Sequence, residues 1–172
     1  GYVSPATGGF VPPGMPGHLA GGGLPYGPGQ ARRLLSEAGY PDGFEVKVIT
    51  FEAWWLEAQI IKRMLERIGL KVKLEVLTRP GWLRKAYGPL MDKPHEEQDW
   101  DITILYVANW FGHTGASFLP WLTDQGDWRW NEYDAVYEEM WRDMARTVDP
   151  EAQEEKIRQM AEYLYAGAYG PC

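Results

Sequence analysis

The sequence predicts an α/β fold in which helices flank a small mixed sheet, and three observations carry this prediction. Residues 44–77 alternate apolar and charged side chains at both ends, with apolar residues three and four apart between them. This order is typical of a strand, a helix and a parallel strand. The apolar run WDITILYVANW at 100–110 predicts another strand near the sheet centre. Two amphipathic helical patterns follow it.

Apolar residues at helical spacing predict the first two helices, and glycines predict where they stop. The first helix has apolar residues at positions 31, 34, 35 and 38 and ends at Gly39. The second runs from about Ala53 to Ile68 and ends at Gly69. Its predicted buried stripe consists of Leu56, Ile60, Ile61, Met64, Leu65 and Ile68. Strands are expected at 44–50 and 70–77, on either side of this helix.

The remaining helices are predicted near residues 80–90 and in the last third of the chain. The first helix of the last third has an apolar stripe of Tyr133, Val136, Tyr137, Met140, Trp141 and Met144. The second has Asp149 as its N-cap and Pro150 at its first helical position. Its predicted buried face consists of Ile157, Met160, Ala161 and Leu164.

Glycine and proline dominate residues 1–29, which we predict to be an extended arm, with an α/β lobe at 30–172. Two interpretations of the arm stay open, a free linker or a segment lying across a neighbouring lobe. The chain does not begin with methionine, and we expect it to be part of a longer protein.

Composition and charge argue against several classes of function. The net charge of −7, without a basic cluster, argues against nucleic acid as a partner. His18 and His95 lack metal-ligand spacing, and the one cysteine is the terminal Cys172. The sequence has no phosphate-binding loop, nucleophile elbow or dinucleotide fingerprint. We therefore predict a protein that is not an enzyme, with no catalytic residues, metal site or cofactor.

Aromatic residues recur where a ligand is expected, because open α/β sheets bind ligands beyond the carboxyl ends of their strands. Aromatic residues follow all three predicted strands. After the second strand the aromatic residue is Trp82, and Arg79 lies near it in the sequence. The predicted ligand-binding residues are Asn109, Trp110, Phe111, His113, Trp54, Trp55 and Trp121. For Trp54 and Trp55 an alternative stays open, in which they staple their helix to the sheet.

Four segments resemble the extracellular solute-binding proteins of the peptide/nickel type, family 5. YGPGQARRLLSEAGYPDGFEVKVIT, residues 26–50, is the most specific of them. RMLERIGLKVKLEVL at 63–77, WNEYDAVYEEM at 130–140 and VDPEAQEEKIRQMAEYLY at 148–165 are similar to later segments, in the family's order. The resemblance spans roughly residues 12–166.

This resemblance implies one lobe of a periplasmic-binding-protein type II-like fold, comprising most of the C-terminal lobe. The full receptor would be extracytoplasmic, either periplasmic or a cell-surface lipoprotein. It would close on a small-molecule solute, a peptide or an oligosaccharide, and deliver it to an ABC permease. Membrane contact is expected only through an anchor outside these residues.

One departure from the family bears on the solute. Peptide-binding members often carry an acidic residue in the loop after a tryptophan, where it pairs with the peptide amino terminus. The corresponding loop here, NWFGHTGASFLPW at 109–121, has no Asp or Glu. Since burying an unpaired ammonium is costly, a sugar or another neutral solute suits this loop at least as well.

Two alternatives from other classes stay open. A carbohydrate-active enzyme domain could use Asp99 and Asp101, although these lie at the start of the predicted strand rather than at its carboxyl end. A protein-interaction domain would use the aromatic edge as an interface.

Overall fold

The computed structural model describes residues 11–21, 26–86, 98–104, 112–115 and 133–167. The chain divides into two compact units, which we call the sheet unit (residues 26–106) and the helical unit (residues 1–25 with 107–172). The described elements are α1 (Pro28–Glu37), β1 (Glu45–Phe51), α2 (Trp55–Arg67), β2 (Lys71–Leu77), α3 (Arg79–Ala86), β3 (Ile102–Thr103), α4 (Ala135–Arg146) and α5 (Pro150–Ala166).

The sheet unit contains a parallel sheet with the strand order β2-β1-β3. β1 and β2 pair along their whole length, from Glu45 opposite Lys71 to Phe51 opposite Leu77. These elements confirm the predicted α/β class. β1 is the central strand of the three, so the expectation that the run at 100–110 lies nearer the centre is wrong for its described part.

β1 is buried on both faces because side chains alternate along a strand. Val46 and Val48 point to one face and belong to a cluster against which Leu65 of α2 packs. Ile49 is fully buried on the opposite face, where the ring of Phe51 lies 5.2 Å from that of Trp82 in α3. The strand is therefore covered by a helix on each side, which explains its nearly continuous apolar sequence.

The predicted buried stripe of α2 is correct for only half of its residues. Ala58 is fully buried, and Ile61, Leu65 and Ile68 are half-buried on the side that meets the sheet. The three residues on the other side, Leu56, Ile60 and Met64, are 59%, 52% and 43% exposed. They recur every four residues, so α2 carries a second apolar stripe that the sheet does not cover. The predicted apolar face of α1 also remains largely uncovered, since α1 has no buried residue.

A close approach of two glycines joins the start of β1 to the start of β2. Gly43 has a φ of +66°, and a Cβ atom there would lie 2.0 Å from the carbonyl oxygen of Gly69. Gly69 has a φ of +102° and follows the end of α2, as predicted. Only glycine satisfies both the backbone angle and the lack of space at position 43.

The core of the helical unit lies between α4 and α5. Ile157, Met160, Ala161 and Leu164 are buried, which confirms the predicted face of α5. The carboxylate of Asp149 accepts from the backbone N–H of Ala152 at 2.8 Å and caps that helix, also as predicted. In α4 the prediction holds for the buried Tyr137 and Met144 and for the half-buried Met140 and Trp141. It is wrong for Tyr133 and Val136, which are 59% and 61% exposed.

Residues 11–21 pack against this core through a series of turns. Val11 is 2% exposed within the core cluster, and Met15 and Leu19 pack against it. Gly17 is buried, and a Cβ atom there would lie 2.4 Å from Cγ2 of Ile157. The division into an arm at 1–29 and a lobe at 30–172 stays a prediction.

Candidate functional site

The carboxyl end of β1 leads directly into the two adjacent tryptophans. Glu52–Trp54 form a 3-10 turn after Phe51, and α2 begins at Trp55. Trp54 is half-buried with its indole Nε1 shielded from solvent, whereas Trp55 is 53% exposed. The sequence supports the same prediction for both tryptophans, but the start of α2 between them gives them different environments. Trp55 thus offers an aromatic face at the strand edge.

The aromatic residue that follows β2 is used for packing. Trp82 is 4% exposed, and its Nε1 donates to the hydroxyl oxygen of Thr103 at 2.9 Å. Its ring also contacts Phe51 at an interplanar angle of 51°. These contacts link α3 to β1 and to β3, so Trp82 stabilises the edge and does not line its surface.

Two hydrogen bonds beyond the strand ladder hold β3 to β1. The hydroxyl group of Thr50 donates to the carbonyl oxygen of Ile104 at 3.0 Å. The backbone N–H of Lys47 donates to the carboxylate of Asp101 at 2.7 Å. β3 therefore has a fixed position just before the segment that carries the predicted site residues. Four of those residues lie outside the described part of the chain: Asn109, Trp110, Phe111 and Trp121.

His113 belongs to the helical unit and is half-buried. Its Nε2 lies 3.0 Å from Oε1 of Gln153 on α5. The two following residues are buried, with Thr114 only 3% exposed. The structure thus places Trp54 and Trp55 in one unit and His113 in the other. Sequence patterns did not predict Gln153, because it is a lone polar residue on a helix whose signal is its apolar face.

An ion cluster lies on the α3 side of the sheet. Nζ of Lys47 is 2.9 Å from the carboxylate of Asp99 and 3.2 Å from that of Glu75. Nζ of Lys85 lies 2.8 Å from Glu75 and 2.9 Å from Asp99. Hydrogen bonds from both lysines lower the pKa of Glu75 and of Asp99, and the bond to Asp99 raises the pKa of Lys47.

Asp99 and Asp101 are therefore both engaged at the amino-terminal end of β3. Asp99 pairs with two lysines, and Asp101 accepts from a backbone N–H. Carboxylates held in this way attach β3 to its neighbours. The environments of Asp99 and Asp101 therefore do not support a carbohydrate-active enzyme that uses them as catalytic groups.

The described ranges contain no group of three or more His, Cys, Asp and Glu side chains that could hold a metal ion. In those same ranges no helix combines the length and apolar character needed to span a bilayer.

The family model of the bacterial extracellular solute-binding proteins, family 5 (middle region), matches residues 1–129. The chain belongs to this family. The predicted resemblance is therefore confirmed. The family is one of binding proteins rather than enzymes.

A curated relative is the glutathione-binding protein GsiB of Salmonella choleraesuis, which is 35% identical over 80 residues. That match covers 45% of this chain and 15% of GsiB.

Solved structures share the fold. The periplasmic binding protein DppA of Helicobacter pylori, solved with the peptide STSA, superposes with a TM-score of 0.71 at 21% identity. That similarity covers 94% of this chain and 31% of DppA. AgaA of A. tumefaciens R10, solved with agropinic acid, gives a TM-score of 0.71 at 23% identity over 94% of this chain and 33% of AgaA. The chain thus spans about a third of these structures, and the predicted binding-protein lobe fold is confirmed.

Proposed function

We propose that this chain is the ligand-binding lobe of a solute-binding protein that supplies an ABC importer. The observation that carries the proposal is the family match over residues 1–129. The mechanism is capture without bond chemistry, in which a lobe closes over the solute. On this proposal the full protein is extracytoplasmic, as a periplasmic or cell-surface lipoprotein, and its partner is an ABC permease.

We further propose that the solute is a peptide or an oligosaccharide bound at the carboxyl edge of the sheet. Trp55 supports this proposal, because an exposed tryptophan beside a strand end offers a flat surface for stacking. We keep Asn109, Trp110, Phe111, His113, Trp54 and Trp121 as proposed ligand-binding residues. The absence of Asp and Glu from residues 109–121 favours a neutral solute over one held by an ammonium group.

Thermal denaturation with a panel of neutral oligosaccharides and of free and N-acetylated peptides tests the proposal. The panel is applied to this chain and to the longest gene product that contains it. A solute at a hundred times its Kd should stabilise the protein by about 2.7 kcal/mol, which raises Tm by several degrees. A panel in which no solute shifts either protein would contradict the proposal, and turnover of a glycoside would support the enzyme alternative instead.

A matched pair of exposed aromatic residues tests the role of Trp55. Trp55→Ala should weaken solute binding about tenfold and leave the free energy of unfolding nearly unchanged. Tyr133→Ala is the control, since Tyr133 is 59% exposed and lies outside the proposed site. If Trp55→Ala lowers stability and leaves affinity intact, the tryptophan staples its helix and is not a binding residue.

A further inference from the structure

Two backbone carbonyl groups fix the orientation of the Gln153 side chain. Nε2 of Gln153 donates to the carbonyl oxygen of Met144 at 3.3 Å and to that of Thr147 at 3.0 Å. Carbonyl oxygens only accept hydrogen bonds, so this end of the amide is the NH2 group. The other end is therefore the oxygen, Oε1, which can only accept.

The amide orientation in turn determines where His113 carries its proton. Nε2 of His113 lies 3.0 Å from Oε1 of Gln153. Because Oε1 has no proton to give, Nε2 of the ring must be the donor. In the neutral ring, Nδ1 is then unprotonated and presents a lone pair. Among the hydrogen bonds between described residues, the ring takes part in this one alone, so Nδ1 is available to accept another.

Close packing keeps the ring in this position. A Cβ atom at Gly115 would lie 2.6 Å from Cε of Met144 and 3.2 Å from Cε1 of His113. Thr114, between the two, is 3% exposed. Residues 113–115 therefore lie close to Met144 of α4, while His113 as a whole is half-buried.

The amino-acid composition of the sequence around His113 limits the groups that Nδ1 is suited to bind. Residues 109–121 contain no Asp or Glu, so this stretch of sequence has no charged acceptor. A neutral imidazole nitrogen accepts from a hydroxyl group or an amide N–H. It cannot neutralise an ammonium group, whose burial beside it would be costly.

We propose that Gln153 fixes the Nε2–H tautomer of His113, so that Nδ1 accepts a hydrogen bond from a hydroxyl or amide group of the solute. Gln153 is then a positioning residue and His113 determines specificity. The second half of this inference rests on the proposed function, whereas the first half concerns the protein without its solute.

Nitrogen-15 NMR of the histidine rings tests the first half without any solute. The spectra are recorded at alkaline pH, where the ring signals have stopped changing with pH. We expect an unprotonated Nδ1 and a slowly exchanging proton on Nε2 of His113. A proton on Nδ1, or a ring N–H that exchanges as fast as in a free imidazole, would overturn the inference.

Two glutamine variants provide the matched comparison. Gln153→Leu should abolish the slow exchange of the Nε2 proton. Gln159→Leu should leave that exchange unchanged, since Nε2 of the exposed Gln159 donates to Glu155 on the same helix. Gln153 also binds two carbonyl groups near the end of α4, so circular dichroism must show that its variant folds. If the Gln153→Leu variant does not fold, the spectrum of the unmodified chain still determines the tautomer of His113.

The second half is tested with the solute that raises Tm most in the panel above. Its binding should shift the Nδ1 resonance of His113 toward the range of hydrogen-bonded nitrogens. His113→Gln, which can still reach Gln153 but lacks Nδ1, should weaken binding about tenfold. If the solute binds and Nδ1 does not respond, the inference is wrong and the proposed function survives. A panel without any binder overturns the proposed function and leaves the tautomer result standing.

Discussion

The two units of the molecule draw their cores from different parts of the chain. The core of the sheet unit contains Val46, Val48, Leu70 and Val72, which come from neighbouring segments. In the helical unit, Val11 shares a core with residues of α5 as distant as Leu164. Closing a short loop costs less chain entropy than closing a long one. The sheet unit can therefore form from local contacts, whereas the helical unit depends on segments near both ends of the chain.

The two units also differ in what their crowded glycines touch. Gly43 meets the backbone carbonyl of Gly69, which cannot move without displacing a strand. For a Cβ atom at Gly17 the nearest atom is Cγ2 of the Ile157 side chain at 2.4 Å, and the Ile157 backbone lies farther away, at 3.3 Å. The comparison indicates that the cost of adding a methyl group at a crowded glycine depends on whether a backbone atom or a side-chain atom must move.

The largest effect is expected at Gly43. Gly43→Ala should destabilise the sheet unit by roughly 3–5 kcal/mol, because the new methyl group meets a backbone carbonyl at a positive φ. Gly69→Ala is the control, since its φ is also positive but nothing lies within 4 Å of a Cβ atom there. That control should cost about 1–2 kcal/mol. Hydrogen exchange of peptides from 45–77 measures the stability of the sheet unit, and exchange of peptides from 135–164 measures that of the helical unit. Equal losses of stability in Gly43→Ala and Gly69→Ala would contradict the packing argument.

A core deletion in α5 should act on the helical unit. Leu164→Ala should cost about 3 kcal/mol, because Leu164 is fully buried and its loss leaves a cavity. Val136→Ala, at a residue that is 61% exposed, should stay within about 0.5 kcal/mol. Exchange in 135–164 should rise in Leu164→Ala while exchange in 45–77 stays constant. An equal rise in both ranges would show that the units unfold together.

Two glycines in residues 11–21 test how far this segment supports the helical unit. Gly14 and Gly17 share a φ of +83°, but a Cβ atom has open space at Gly14 and meets Ile157 at Gly17. Gly17→Ala should therefore cost about 1–2 kcal/mol more than Gly14→Ala, with the loss confined to the helical unit. Urea denaturation of both variants measures the difference. Equal stabilities would mean that residues 11–21 contribute little to this core.

The smallest effect is expected in the ion cluster. Asp99→Asn should lower stability by less than about 1 kcal/mol at neutral pH, since the Asp99 side chain is 62% exposed. The folded-state pKa of Asp99 is below its ordinary value of 3.8, so this contribution is present above that value. It is lost as the pH falls through the lower folded-state pKa. Denaturation of the unmodified chain and of Asp99→Asn at pH 7 and in acid measures the difference in their unfolding free energies. This difference should be smaller in acid, and a larger difference in acid would contradict the prediction.

The β1–α2–β2 segment was predictable because each of its signals is local. Alternation along Val46 and Val48, helical spacing in α2 and the stop at Gly69 all lie within a few residues of what they specify. Periodicity failed for α2 where two apolar stripes share one helix. The small Ala58, which is fully buried, marks the packed side of α2.

Long-range contacts limited the prediction of the helical unit and of the candidate site. Val11 and Gly17 stand in a stretch without periodicity, and their partners lie on α5. His113 was predicted as a site residue from its aromatic loop, but its hydrogen bond to Gln153 joins residues far apart in sequence. The different exposure of Trp54 and Trp55 depends on where α2 begins.

The contact between Val11 and α5 sets an order of events during synthesis. Translation proceeds from the amino terminus, and β1, α2 and β2 leave the ribosome long before α5. The parallel strands can thus pair during synthesis, at a time when Val11 has been synthesised but α5 has not. Until α5 has been synthesised, Val11 lacks the α5 residues with which it shares its core.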